Sequence, residues 1–170
     1  LFEPQSTNLV TYSEDFSQWG QSGAPALTSG QLAPDGTFGA TKISGTIGSS
    51  YIALAQASTT TATRTIYAKT VSGTGTAKLM SYSGNTNNLF TLTEEWQRFE
   101  LTGSSAVGAT SFYIDLRDNA QTLSEFIIWG AQSEELSFAT SYIPTNGSQI
   151  TRLADAAFGA GSSDLINSTE

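Results

Sequence analysis

The chain has 170 residues, enough for one well-formed hydrophobic core and short for two. Its formal charge of −8 repels phosphate backbones and anionic lipid, so nucleic acid and membrane insertion are excluded as expected partners or modes of binding. It contains no cysteine and no histidine, which excludes a disulfide framework, thiolate metal sites and the commonest general base.

Composition also bounds the organisation of the chain. No apolar run approaches the roughly 20 residues of a membrane-spanning helix, and no signal peptide precedes the first predicted strand. Because residue 1 is not Met, we expect a piece of a longer polypeptide. A β-sandwich domain is predicted over residues 1–157, and the Gly-, Ser- and Asn-rich residues 158–170 are predicted to be a linker towards a further domain.

The first half of the sequence predicts short strands between turns. Residues 8–12 form the first predicted strand, and an acidic turn with Glu14 and Asp15 follows it. Residues 33–37 (APDGT) place proline, aspartate and glycine in β-turn positions. Further strands are predicted over residues 40–43, 50–55, 63–71 and 77–82, and the last two are expected to pair as a hairpin across the turn at 72–75.

Residues 111–117 show the clearest alternation of apolar and polar side chains. Strands are also predicted over residues 90–92 and 96–101, before this segment. A period of two places alternate side chains on opposite faces of a strand. The pattern therefore predicts that Phe112, Ile114 and Leu116 face the core, whereas Tyr113, Asp115 and Arg117 face outwards.

The most apolar run of the chain, residues 125–132 (EFIIWGAQ), predicts a strand buried on both faces in the middle of a sheet. After it, residues 137–145 predict an extended strap over the sandwich, anchored by Phe138, Tyr142 and Ile143. Residues 150–155 predict one more short strand. Because the chain has no long amphipathic helical pattern, these elements predict an all-β protein with a two-sheet antiparallel β-sandwich.

Two groups of segments, near the start and the end of the predicted sandwich, carry a recognisable pattern. The opening group is residues 8–19 (NLVTYSEDFSQW) and 33–37, and the closing group is 128–132 (IWGAQ), 137–145 (SFATSYIPT) and 150–155 (ITRLAD). Residues 66–69 (IYAK) and 96–98 (WQR) lie between them in the same order. Together they resemble a carbohydrate-binding-module-like domain of bacteriophage tail-fibre, tailspike and head-fibre proteins, over about residues 1–157.

The resemblance implies a jelly-roll sandwich carried on a virion appendage, beside other domains and often in trimeric fibres. The expected function is non-catalytic adhesion to a bacterial surface glycan, with other virion subunits as partners in a homotrimer. Two alternatives stay open: a structural spacer or oligomerisation module of a phage fibre, and an accessory carbohydrate-binding module of a polysaccharide hydrolase.

The opening segment also resembles the first strand of sugar-binding modules of hydrolases. In many of those, a structural calcium lies between this turn and an aspartate on a late strand. The resemblance makes Glu14 and Asp15 the candidate calcium ligands, since calcium prefers clustered hard oxygens. The late strand has Trp129 and Gly130 where the aspartate is expected, so that ligand is absent.

Outward-facing polar and aromatic residues are the candidate sugar contacts. A sugar site needs an exposed aromatic platform and a few hydrogen-bonding groups beside it. Two alternatives are an ordinary solvated face with an exposed Asp115–Arg117 ion pair, and a face buried against a neighbouring subunit. The residues predicted to line one sheet face and bind carbohydrate are Tyr67, Lys69, Tyr82, Tyr113, Asp115 and Arg117.

The tryptophans and the paired carboxylates have simpler expected roles. Trp129 is predicted to be core, Trp19 to pack against the core, and Trp96 to be half exposed. A glycosidase needs two carboxylates about 5–10 Å apart across a cleft. Adjacent residues of a strand point to opposite faces, so the Glu-Glu doublets cannot form such a pair by themselves, and no enzymatic activity is expected.

Overall fold

The computed structural model describes residues 2–56, 61–81, 89–102 and 111–156. These form an all-β fold in which every strand pair is antiparallel, so the predicted two-sheet antiparallel sandwich is confirmed. One short 3₁₀ helix spans Phe16–Gln18. The strands are β1 (Ser6–Asn8), β2 (Gly20–Ser22), β3 (Ala26–Gln31), β4 (Ala40–Ser44), β5 (Tyr51–Ala55), β6 (Thr63–Lys69), β7 (Gly75–Ser81), β8 (Phe90–Leu92), β9 (Gln97–Thr102), β10 (Ser111–Asp115), β11 (Glu125–Glu134) and β12 (Ile150–Arg152).

Two five-stranded sheets form the sandwich. One has the order β2-β5-β10-β7-β8 and is called the tyrosine sheet here, after the two tyrosines on its outer face. The other has the order β3-β4-β11-β6-β9 and is called the strap sheet, because residues 136–146 cross its outer face. The chain passes repeatedly from one sheet to the other, as in a jelly roll. In the described part of the chain, no helix has the length and apolar character needed to cross a membrane.

The main core lies between the two sheets. Residues 111–117 contribute Phe112, Ile114 and Leu116, all fully buried, as their alternation predicts. Trp19 packs edge-on against Phe112, with ring centroids 5.5 Å apart, and donates its indole N–H to the Tyr12 carbonyl. The predicted packing role of Trp19 is therefore confirmed.

Strand β11 is the middle strand of its sheet, between β4 and β6, and is buried on both faces as predicted. Its inner face joins the main core through Phe126 and Ile128. Its outer face carries Ile127 and Trp129 in a second apolar cluster. Gly130 adopts a φ of +65° where the register to β6 shifts, a left-handed conformation that disfavours a side chain.

The strap covers the outer face of the strap sheet. Tyr142 packs on Trp129 with ring centroids 4.6 Å apart, and Ile143 is buried while its N–H donates to the Gln132 side chain. These two residues anchor the strap as predicted. Phe138 is 49% exposed, so its predicted role as a third anchor is wrong. The Thr63 hydroxyl holds the nearby backbone instead, by donating to the Leu136 carbonyl.

The opening and closing segments meet in the structure through residues that are 123 or more positions apart in the sequence. Strand β1 pairs with β12, and Tyr12 forms an isolated bridge with Asn146. The buried Asn8 side chain donates to the carbonyls of Ala131 and Ile143. The first strand spans Ser6–Asn8 and not the predicted residues 8–12, because β12 pairs with Ser6–Asn8.

The predicted hairpin of residues 63–71 with 77–82 is wrong. Strand β6 pairs with β9 and β11, whereas β7 belongs to the opposite sheet and pairs with β8 and β10. Both edges of β6 are thus already occupied, and the inner faces of β6 and β7 meet across the core through Ile66 and Leu79. Strands β2 and β3 were not predicted, since their sequences are short of apolar residues. The predicted linker at 158–170 lies outside the described residues.

Candidate functional site

The predicted sugar-binding residues do not share one sheet face. Tyr67 and Lys69 lie on β6 in the strap sheet, whereas Tyr113 and Asp115 lie on β10 in the tyrosine sheet. The prediction of a single face is therefore wrong. Like the predicted hairpin, it placed β6 in the same sheet as β7, whereas β7 and β10 share one sheet and β6 belongs to the other. Tyr82 lies outside the described residues.

On the strap sheet, Tyr67 is part of the second apolar cluster rather than an open platform. Its ring packs edge-on against Trp129 and Tyr142, with centroids 5.3 and 6.5 Å away. The Lys69 ammonium lies 5.6 Å from the centroid of the Trp96 ring, which is half-buried as predicted. Tyr67 and Lys69 thus make packing contacts on the outer surface of the strap sheet, beneath and beside the strap.

On the tyrosine sheet, two half-buried tyrosines form an aromatic pair. Strands β5 and β10 are neighbours, with Tyr51 opposite Asp115 and Tyr113 opposite Ala53. Tyr51 and Tyr113 are therefore diagonal neighbours on one face, and their ring centroids are 5.2 Å apart. This pair is the only described aromatic pair on the outer face of this sheet.

A cation lies over both rings of the pair. The Arg117 guanidinium carbon is 4.2 Å from the Tyr51 ring centroid and 5.0 Å from that of Tyr113. Such contacts are each worth about 0.5–1 kcal/mol at exposed sites. The side chain of Arg117 stays 40% exposed, so its remaining N–H groups are accessible at the surface.

Asp115 fixes the position of this arginine. One carboxylate oxygen accepts from Arg117 Nε at 2.8 Å and the other from Nη2 at 2.7 Å, which is the bidentate geometry that fits a guanidinium. The hydrogen bonds that Arg117 donates to Asp115 raise the pKa of Arg117, so the cation persists. Asp115 itself is buried, 4% exposed, and thus positions Arg117 instead of facing a ligand as predicted.

A second ion pair lies at the neighbouring strand. Lys78 on β7 stands opposite Asp115, and its ammonium is 3.3 Å from a carboxylate oxygen of Asp118. The backbone N–H of Ala120, and after it the Lys78 ammonium, lower the pKa of Asp118. Asp118 therefore stays ionised, Asp115 is paired with Arg117 through both oxygens, and neither carboxylate has the environment of a general acid.

The residues Tyr51, Tyr113, Asp115, Arg117, Lys78 and Asp118 are called the tyrosine face from here on. It offers two aromatic rings and those guanidinium N–H groups of Arg117 that do not bind Asp115. Each of its two cations is paired with an aspartate. Sequence reasoning missed Tyr51 as a site residue. The predicted strand over residues 50–55 contains Tyr51, but the sequence did not reveal that β5 lies beside β10.

The candidate calcium ligands do not fit a calcium site. The Asp15 carboxylate accepts from the backbone and hydroxyl of Ser17 and from Gln18, and caps the 3₁₀ helix. Glu14 accepts from the Tyr142 hydroxyl. Among the described residues, no three acidic side chains are grouped closely enough to hold a metal ion.

No protein-family model matches this chain, and no curated protein sequence matches it significantly. Several solved structures resemble it in part. The CBM22-1 and GH10 modules of endo-1,4-β-D-xylanase 10B from Clostridium thermocellum, complexed with xylohexaose, are 15% identical over 78% of this chain and 28% of theirs, with a TM-score of 0.47. The enzymatically active domain of tailspike protein 4 from bacteriophage CBA120 is 14% identical over 74% and 21%, with a TM-score of 0.44.

A third structure is covered almost completely by the match. The family 11 carbohydrate-binding module from Clostridium thermocellum, in complex with a β-1,3-1,4-mixed-linked tetrasaccharide, is 11% identical over 88% of this chain and 94% of its own, with a TM-score of 0.39. The chain spans less than a third of the xylanase and tailspike structures. At such identities and TM-scores, these likenesses assign neither a family nor a ligand to this chain.

Proposed function

We propose that this domain is a non-catalytic carbohydrate-binding module whose ligand lies on the tyrosine face. The observation that carries the proposal is the half-buried Tyr51–Tyr113 pair with Arg117 held over it by the buried Asp115. A pyranose ring has apolar C–H faces and a rim of hydroxyl groups. It can pack on a tyrosine ring while its hydroxyl oxygens accept hydrogen bonds from the guanidinium.

The rigidity of the face supports binding without rearrangement. Arginine side chains lose rotamer freedom when a ligand immobilises them, which weakens binding. Here the two hydrogen bonds to Asp115 and the contact with Tyr51 already restrict Arg117 in the free protein. A ligand that accepts hydrogen bonds from its remaining N–H groups therefore meets a pre-organised donor.

The chemistry of the face supports a binding role over hydrolysis. A glycosidase needs one carboxylic acid whose pKa is raised, so that it is protonated at neutral pH. The pKa of Asp118 is lowered, and Asp115 is paired with Arg117 through both oxygens. Neither carboxylate is suited to donate a proton to a leaving group.

The virion setting, with adhesion to a bacterial surface glycan, rests on the resemblance of the opening and closing segments to phage fibre domains. Their direct pairing through β1 and β12 supports their reading as one unit. Repeated copies on a fibre would raise avidity without new contacts at any one site. The same module could equally serve a polysaccharide hydrolase, and identifying the neighbouring domains of the full-length protein would separate the two settings.

Affinity electrophoresis in gels containing bacterial polysaccharides, followed by a glycan array, tests the proposal. Tyr113→Ala should abolish the retardation of the domain while its thermal unfolding stays cooperative. Phe138→Ala is the matched control, because this exposed aromatic residue belongs to the strap on the opposite sheet. Equal retardation of both variants, or no retardation of the wild-type protein on any glycan, would contradict the proposal.

A spacer or oligomerisation module is the second candidate, and one feature favours it. Phe2 and Leu153 are 69% and 73% exposed, and both adjoin the paired terminal segments, in which Glu3 and Asp155 exchange hydrogen bonds. Light scattering after size exclusion would detect a trimer. A trimer that Phe2→Ser or Leu153→Ser dissociates, together with no glycan binding, would favour this candidate.

A further inference from the structure

A cleft of about 640 Å³ lies at the edge of the strap sheet, away from the tyrosine face. It opens between the acidic turn, the loop before β4 and the end of the strap. The lining residues that matter for its chemistry are Glu14, Asp15, Phe38, Gly39, Asn146 and Ile150.

Glu14 presents one free carboxylate oxygen to this cleft. Its Oε1 accepts from the Tyr142 hydroxyl at 2.9 Å, whereas no described residue donates to Oε2. Burial raises the pKa of Tyr142, so that hydroxyl keeps its proton and holds the carboxylate in place. A side chain fixed at one oxygen and open at the other is arranged to accept from a ligand.

A buried donor and that oxygen both lie close to Gly39. Trp129 is 5% exposed, and no described residue accepts a hydrogen bond from its indole N–H. A Cβ on Gly39 would lie 3.2 Å from Glu14 Oε2 and 3.3 Å from Trp129 Nε1, so both atoms face the space left by this glycine. A buried N–H donor without a partner is unfavourable, and its position behind Gly39, which lines the cleft, indicates a place where an oxygen atom of a ligand or of water completes the hydrogen bond.

The charges on the described residues around the cleft have one sign. Glu14 and Asp15 line it, and none of the described lining residues is a lysine or arginine. Asp35 stands close enough to act on Tyr142, and hydrogen bonds from Thr37 lower the pKa of Asp35, so this charge persists. An anionic ligand is therefore disfavoured, and a cationic group is attracted.

Two exposed apolar side chains complete the lining of the cleft. Phe38 is 74% exposed and Ile150 is 43% exposed, an unusual exposure for large apolar residues beside a concave surface. An aromatic ring can pack against the C–H face of a sugar and also attract a cation. The cleft thus combines an aromatic surface, a free carboxylate oxygen and the Asn146 amide.

We propose that this cleft is a second ligand site, which binds an amino sugar through its protonated amine. In this arrangement the ammonium group donates to Glu14 Oε2, the sugar ring packs on Phe38, and Asn146 hydrogen-bonds to a hydroxyl group. The site is separate from the tyrosine face and does not rest on the function proposed for that face.

Calorimetric titration with a glucosamine tetramer and with the N-acetylglucosamine tetramer tests the proposal. In mildly acidic buffer of low ionic strength the first carries protonated amines, whereas the second has the same sugar skeleton without charge. The glucosamine tetramer should bind at least about tenfold more tightly, which corresponds to one charge-assisted hydrogen bond. Binding should weaken as salt is added.

Glu14→Gln keeps the acceptor for Tyr142 and replaces Oε2 with a donor, so it should weaken binding of the glucosamine tetramer about tenfold or more while the fold persists. Glu95→Gln removes the same charge from an exposed turn and should leave affinity unchanged. Phe38→Ala should also weaken binding, whereas Tyr113→Ala should not. Equal affinity for both tetramers, equal losses in Glu14→Gln and Glu95→Gln, or no binding of the glucosamine tetramer would overturn the proposal.

Discussion

Asn8 joins the opening of the chain to its close, and its removal should strongly destabilise the domain. The side chain is fully buried and makes four hydrogen bonds. Its amide donates to the carbonyls of Ala131 and Ile143, and its oxygen accepts from the N–H groups of Val10 and Ser133. One side chain thus joins three segments: the opening of the chain, strand β11 and the strap.

The magnitude for Asn8→Ala follows from the groups left behind. Two backbone N–H groups lose their acceptor in a buried site, and each such loss costs about 1–3 kcal/mol. The expected destabilisation is about 4 kcal/mol, a large share of the roughly 5–15 kcal/mol that stabilises a typical domain. With a urea m-value of about 2 kcal/mol/M, the unfolding midpoint should fall by about 2 M.

Urea unfolding followed by tryptophan fluorescence measures this change. Gln149→Ala serves as the control, because this exposed side chain makes a single long hydrogen bond, and it should cost less than about 0.5 kcal/mol. A cost below about 1 kcal/mol for Asn8→Ala would refute the reasoning, because it would mean that the freed backbone groups find other partners.

Asn8→Asp tests the same site through pH. It keeps the acceptor but turns a second oxygen towards two carbonyl oxygens, which disfavours the ionised form in the folded state. The folded-state pKa of this carboxyl should therefore lie above its unfolded value near 4. Its stability relative to the wild-type protein should be highest below about pH 4 and fall as the pH rises through that raised pKa. A difference that does not change with pH would contradict this reasoning.

Three further predictions concern the tyrosine face and the bulge in β11. Asp115→Asn should weaken glycan binding about tenfold by releasing Arg117, and should add nothing in a variant that already lacks Arg117; additive losses in affinity titrations would contradict the positioning role. Gly130→Ala should lower the free energy of unfolding in urea by about 2 kcal/mol, because its φ is +65° and a Cβ would lie 3.3 Å from two tyrosine rings. Gly36→Ala is the control: its φ is +86° but the space around it is open, so it should show only the cost of the left-handed backbone conformation. Asp118→Asn should lower the melting temperature above about pH 4, and the difference should disappear as the pH falls through the lowered pKa of Asp118; a constant difference would contradict the pairing.

The two candidate sites differ in their electrostatics, which makes them separable by experiment. On the tyrosine face, Arg117 and Lys78 are each paired with an aspartate, so the face is nearly neutral. In the cleft, Glu14 and Asp15 have no cation beside them among the lining residues that the structure describes. Neutral glycans should therefore report on the first site and amine-bearing sugars on the second, with Tyr113 and Glu14 as the distinguishing substitutions.

The sequence by itself determined the apolar, buried side of the most regular strand and the identity of one central strand. The alternation in residues 111–117 identified Phe112 as core and Tyr113 as surface, because a pleated strand sends successive side chains to opposite faces. The apolar run around Trp129 likewise identified the central strand of a sheet. Absences in the composition, of cysteine and histidine, also follow from the sequence alone.

Only the tertiary structure decided which strands are neighbours and, with them, which side chains meet. Tyr51 and Tyr113 are more than 60 residues apart and touch because β5 pairs with β10, while Tyr67 was placed on the opposite sheet. Alternation reports burial, which is a property of one strand, whereas pairing depends on how all inner faces share one core. The same holds for the strap: Tyr142 contacts Trp129 because the chain folds back over the strap sheet, which the sequence pattern does not specify.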